Sequence, residues 1–438
     1  MKLLDDWHAR DHIIGCCCDT CSVNLGCDSG CVTIMERELG HVLLKCECCR
    51  HVTEIHVSYY CASISMRDPK APYDALFKKI YSYWDKLKID YSNLVKFNWS
   101  EDDGSWKYEK ARESLSYMED LLSGKSGMFK RGDYKNLALL VMVYLGGDDS
   151  KFRFPKPCAT NSARFMQLPL YYLPAELLSN QIDRTECKIT DSEWEEIEIM
   201  AEFSALFFSP WFFSCNKSSD APYNDRKMIN DMKMYRKSIP DDHYHCTRIR
   251  NACEEALRSM YRHSQYLSPE LVVFGFTSKK ISPGEKMEMA KSLMLVLAEK
   301  DEDQFKVHPK QKRPAFDVLK VWPDEEMNPP LSRFISKESL SVFYLLGVLD
   351  DMEWLELSPD LWDTNPGYGK FHKYVTSLEV VNDVSERSVK LCQDYIKSTT
   401  KEENLQNHYV VVAEGKNQTR SEEKVKTKST LKRLPLPY

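Results

Sequence analysis

Glycine is scarce in this chain, at 16 of 438 residues, against roughly one residue in fourteen in an average protein. The shortage excludes collagen-like repeats and a glycine-punctuated all-β fold, and it favours helix. Long apolar runs are also missing. The longest, residues 137–145 (LALLVMVYL), is about half of the ~20 residues that span a bilayer, so a buried helix is expected there and no membrane partner. The opening MKLLDDWHARDH puts acids and histidines where a secretory leader needs an apolar stretch; an intracellular protein is expected. Net charge is small, with 60 Lys and Arg against 66 Asp and Glu giving −6. No global field therefore draws the chain to nucleic acid or anionic lipid. Any such contact has to be local. No repeat of fixed period appears, which disfavours a solenoid.

What the chain has in excess is cysteine in one place. Of 16 cysteines, ten fall at positions 16, 17, 18, 21, 27, 31, 46, 48, 49 and 61. Without a leader they read as thiols. Two pairs, Cys18-x-x-Cys21 and Cys46-x-x-Cys49, have zinc-ligand spacing. Against zinc, Cys46 and Cys48 stand in an alternating apolar strand rather than a polar turn. Cys16 to Cys18, Cys46 and Cys48 are expected as buried core thiols, with no zinc.

Along the chain, HIIGCCC (12–18) fits a buried strand closed by Asp19, and CVTIMERELG (31–40) a short helix stopped by Gly40. VLLKCEC (42–48) fits a second strand, and CRHVTEIHVSYY (49–60) a helix with Val52, Ile55 and Tyr59 on one face. Strand–helix–strand–helix is a piece of an α/β layer, though two strands alone make no stable sheet. Helical periodicity then dominates, over 75–87, 108–124, 133–147, 191–208, 252–267 and 285–300. A last helix is expected over 382–397. Residues 411–438 hold seven Lys and Arg against three Glu with few aromatics, the composition of a disordered tail.

Three motifs could carry chemistry. Asp19 ends a strand, where acids hold divalent metal in nucleotidyl-transfer folds and where a plain Asx turn is the alternative. Cys48 and His51 form a C-x-x-H with Glu54 three residues on. In NDVSERSVKL (382–391) Asp383 and Glu386 have the spacing of an N-cap and its N3 acid, which a capping box explains by itself.

Taken in order, these motifs resemble the RNase H-like core of hAT-superfamily DNA transposases, interrupted by their long helical insertion. The match in kind extends to CDTCSVNLG (18–26), DPKAPYDALFKKI (68–80), the block from YLGG to FRFPKPCATNSARFM (144–166) and NDVSERSVKL. The resemblance implies Asp19 as the second acid and Glu386 as the third acid of a D-D-E triad that holds Mg²⁺, with Cys48 and His51 supporting them. It implies no small-molecule substrate. The first acid is missing, because Asp5, Asp6 and Asp11 end no plausible strand. The fold expected is mainly α with a small α/β part: an incomplete RNase H-like core interrupted by a large all-helical insertion. Its parts are a residual α/β segment over 1–62, a helical insertion over 63–375, a helix returning to the core over 376–400 and a polar tail over 401–438. The function expected is that of a transposon-derived protein without strand-cleavage activity, nuclear or cytoplasmic, binding DNA or protein or self-associating. The alternative is a helical interaction scaffold with a zinc-binding, Cys-rich N-terminus. Asp19 and Glu386 are expected within about 10 Å of each other, since both would serve one ion pair.

Overall fold

Backbone hydrogen bonding at the N-terminus produces a two-stranded parallel sheet. Strand β1 (Gly15–Cys18) pairs with β2 (Leu44–Glu47) in the register Gly15↔Leu44 to Cys18↔Glu47. Gly15 is required by packing, since a Cβ there would come within 2.9 Å of the Leu44 carbonyl oxygen. In this computed structural model the described residues are 5–6, 8, 10–20, 24, 26, 29–65, 75–99, 104–124, 129, 132–148, 150, 152–155, 157, 167–263, 266–299, 329–378 and 380–382. Residues 1–157 and 165–382 form one compact unit.

Helix α1 (Cys31–Leu39) connects the two strands and stops at Gly40, whose φ of 79° is the left-handed conformation that glycine adopts freely. Helix α2 (Cys49–Ser65) leaves β2 directly and runs into the helical body. Its inward face is Val52, His56, Val57, Tyr60 and Ile64, one helical stripe. Tyr59 of the expected stripe is 51% exposed. The stripe turns on His56, a polar residue at an apolar position.

The body consists of α3 (Ala75–Tyr83), α4 (Trp106–Leu122), α5 (Gly132–Tyr144), α6 (Gln167–Leu177), α7 (Asp191–Phe203), α8 (Ser209–Ser214), α9 (Ala221–Ser238), α10 (Cys246–Arg262), α11 (Pro283–Ala298), α12 (Leu340–Leu345) and α13 (Pro366–Ser377). Local chemistry fixes several starts. Thr190 and Glu193 make a reciprocal capping box at α7. Asn365 caps α13 through the N–H groups of Gly367 and Tyr368, with Pro366 at the first position. A five-residue π turn, Ser204–Phe208, joins α7 to α8.

Helix α2 packs chiefly on α10, and Tyr60 stacks on Phe203 of α7 at 3.9 Å. The run 137–145 lies almost wholly buried in and just beyond α5. A second core near the end of the unit is aromatic: Trp354 meets Trp362 at 4.9 Å, Tyr368 at 5.1 Å and Phe276 at 5.3 Å. Among the described residues the architecture is mainly helical with one small parallel sheet. No helix of the described residues is long and apolar enough to cross a membrane. The expected helix over 382–397 and the tail beyond it lie outside the described residues.

Candidate functional site

The carboxyl ends of β1 and β2 lie side by side, the position where open α/β sheets bind ligands. The Cys48 N–H donates to the Cys18 carbonyl at 2.8 Å, so the two strands finish in register. Asp19 follows β1 and Glu47 closes β2. The turn after Asp19 is held by the Asn24 amide, which donates to the Asp19 carbonyl at 3.1 Å. Asp19 is half-buried and near enough to Cys48 to act on it electrostatically.

Cys48 caps helix α2. Its carbonyl accepts the Val52 N–H at 3.0 Å, one of the four donors that a helix start leaves unsatisfied. Its sulfur accepts the Asn382 N–H at 3.2 Å. Burial pushes the thiol up from its ordinary value, despite this donor, so Cys48 stays a neutral thiol. The cysteine of the C-x-x-H is thus a helix cap. The histidine, His51, sits one turn in, with its Nδ1 3.8 Å from Glu54 Oε2.

The same contacts bring a distant segment home. The Cys49 N–H donates to the Val380 carbonyl at 2.9 Å, and Val381 packs with Cys48 and Cys215. Val380 to Asn382 therefore abut the strand ends, four residues before Glu386. Glu386 itself lies outside the described residues, as does Asp383, and so does the expected separation of Asp19 and Glu386. Asp5 makes an exposed ion pair with Arg10 at 2.8 Å, before the start of β1.

Two partners of this corner carry no sequence motif. Glu47, 7% exposed, lies 3.6 Å from His263 Nε2. Beneath them His56 bonds the Ser259 hydroxyl at 2.8 Å and packs edge-on against His263 and Tyr266. Burial, with His51 nearby, pushes His263 down to about 4. Burial also pushes His56 well below its ordinary value. His263 belongs to another helix end and has no spacing signal.

Opposite pH dependences meet here. Between about 4 and 6.5 the unfolded chain binds more protons at His263 than the folded chain does, so that residue makes stability rise with pH. Asp225 works the other way. It shares a cavity of about 20 Å³ with Cys49 and Tyr266, and burial raises it to about 7 although the Leu267 N–H donates to it. Between its ordinary 3.8 and about 7 the folded chain binds more protons, so stability falls as pH rises. Asp225→Asn is expected to gain about 4 kcal/mol at pH 8 and almost nothing at pH 4. Urea unfolding at the two pH values measures this, and equal effects at both would refute it.

The thiols divide by strand. Cys46 and Cys48 are buried, as expected, whereas Cys16, Cys17 and Cys18 are only half-buried. What covers the second strand's end is the distant chain: Cys48 packs against Cys215 and Val381. Cys21 lies outside the described residues. Among the described residues no three His, Cys, Asp or Glu are placed to hold a metal ion. Asp19 and its described neighbours therefore do not make up a Mg²⁺ site, and no step through a metal follows from them. Compared with known proteins, the chain matches no family model, no curated protein and no solved structure.

Proposed function

We propose that this chain is a transposon-derived, hAT-like protein that has kept part of an RNase H-like core, has lost strand cleavage and binds nucleic acid. One observation carries the reading: two parallel strands end together at Asp19 and Glu47, and Val380 to Asn382 return to that corner from over 300 residues away. A retained acid on the far side of a long helical insertion is the arrangement that the resemblance implies for Asp19 and Glu386. No cleavage is expected in this reading because two divalent ions ~4 Å apart need several carboxylates to offset their repulsion, and in this sequence only Asp19 and Glu386 match the triad. The return of Val380 to Asn382 belongs equally to the alternative, a helical scaffold with a zinc-binding, Cys-rich N-terminus, and stoichiometric zinc in the purified chain would favour that alternative.

The test pairs two assays on the full chain. A hairpin-forming duplex with Mg²⁺ or Mn²⁺ is expected to stay intact, while a mobility shift reports binding that weakens steeply with salt. Cleavage that disappears in both Asp19→Ala and Glu386→Ala would establish an active core. No shift at low salt would remove the nucleic-acid reading.

A further inference from the structure

Helices α4, α8 and α9 line a cavity of about 200 Å³. Protein interiors are close-packed, with few voids larger than a water, and a cavity of about 150 Å³ already admits a benzene-sized molecule. Lys110, Lys227 and Lys280 line this one, with Tyr117, Tyr223 and Trp211 as aromatic walls.

Its floor is a closed ring of charges. The Lys110 ammonium, 3% exposed, is 2.9 Å from Asp231 and 3.1 Å from Glu113. Lys227 reaches the same two acids, at 3.4 Å and 3.2 Å. The two acids differ in kind. Asp231 is 4% exposed and fixed from below by the Trp211 indole N–H at 3.0 Å. Glu113 is 56% exposed and leans over both ammonium groups from one helical turn beyond Lys110. Lys280 stands near the opening at 41% exposure, paired with Asp220 at 3.5 Å and facing the Tyr223 ring.

We propose that this cavity binds a small phosphate-bearing anion, which replaces the Glu113 carboxylate as counter-ion to Lys110 and Lys227. With Glu113 swung out, the floor holds two ammonium groups against one carboxylate, a net positive charge at the bottom of an open pocket. Lysine is a common point-charge binder of phosphate. Burial pushes the Tyr117 phenol up from its ordinary value, so it remains a neutral donor. The backbone is adapted too: the π turn Ser204–Phe208 sets the phase of α8, which delivers Pro210, Trp211 and Ser214 to the cavity. Such turns recur at functional sites. The volume suits inorganic phosphate or a three-carbon phosphomonoester and is below the roughly 300 Å³ where drug-sized pockets begin.

Calorimetric titration of the full chain with inorganic phosphate and, separately, with glycerol 3-phosphate, each against chloride at matched ionic strength, tests this. One saturable site is expected. Tighter binding of glycerol 3-phosphate assigns a phosphomonoester, and equal binding assigns free phosphate. Lys227→Met is expected to weaken binding at least tenfold. Should that variant fail to fold, Lys280→Met at the half-exposed opening is expected to weaken it about threefold. Glu113→Gln is expected to tighten binding about fivefold, because the competing carboxylate is gone. No heat beyond the chloride control overturns the proposal. So does an unchanged or weaker affinity in Glu113→Gln, since the ring would then be a purely structural network.

Discussion

Asp231→Ala is expected to cost about 3–5 kcal/mol of stability, the range for removing one partner of a buried ion pair. Lys110 is 3% exposed with its ammonium 2.9 Å from Asp231, and the half-exposed Glu113 cannot take over the inner side. The same substitution strands the Trp211 indole N–H, which donates to Asp231 at 3.0 Å. Most of the cost is thus an uncompensated buried charge, not the worth of the pair itself. The double variant Asp231→Ala, Lys110→Met is therefore expected to recover more than half of the loss. Urea unfolding of the four members of the cycle measures both effects. A single-variant loss below about 1 kcal/mol would mean that Lys110 reaches water and that the floor of the cavity is not closed.

Arg50→Ala is expected to cost about 3 kcal/mol. Arg50 lies in the first turn of α2 at 2% exposure. Its guanidinium donates to the Tyr134 hydroxyl and to Asn216, each at 2.8 Å, and lies over the rings of Phe212 and Tyr134 at 4.5 and 4.7 Å. One side chain thus ties the start of α2 to α5, to α8 and to the loop after it. Arg50→Lys is a sharper probe, because lysine keeps the charge but cannot serve two acceptors with a planar fork. It is expected to recover less than half of the loss. Recovery close to wild type would show that charge over the rings, and not the paired hydrogen bonds, holds this junction.

Much of the helical body is legible from apolar spacing, and for a physical reason. Helices such as α4 and α10 bury one stripe and leave the rest in water, so the period of the stripe survives in the sequence. Helix α6 has no such stripe. Leu170, Tyr171, Tyr172 and Leu173 are all buried, and Pro174 sits inside the helix, so both the period and the breaker rules point away from helix. Helix α9 is obscured for the opposite reason. Its Asp231 is buried and its Lys227 half-buried, and beyond their own i,i+4 pair they are satisfied by groups on α4 and α8, which no local window contains.

The candidate site divides the same way. Asp19 is marked by its place after an apolar strand, and Gly40 by the stop that it imposes on α1. The pairing of Glu47 with His263 is set by the packing of α2 on α10, and nothing near either residue announces it. Cys48 is the instructive case. Its spacing to His51 suggests a ligand pair, but cysteine is not among the residues that usually cap helices, so its place at the start of α2, with its sulfur accepting the Asn382 N–H, appears only in three dimensions.

The bond from Asn382 to the Cys48 sulfur spans 334 positions of chain, which sets a schedule for synthesis. The strands emerge from the ribosome first, but the segment that completes their corner is made last. At roughly 5–20 residues per second, the interval is tens of seconds. Throughout it the start of α2 lacks a closing contact and the cysteine-rich corner is open to oxidants and to thiol-binding metals. The corner whose chemistry is easiest to spoil is therefore closed only after most of the chain has been made.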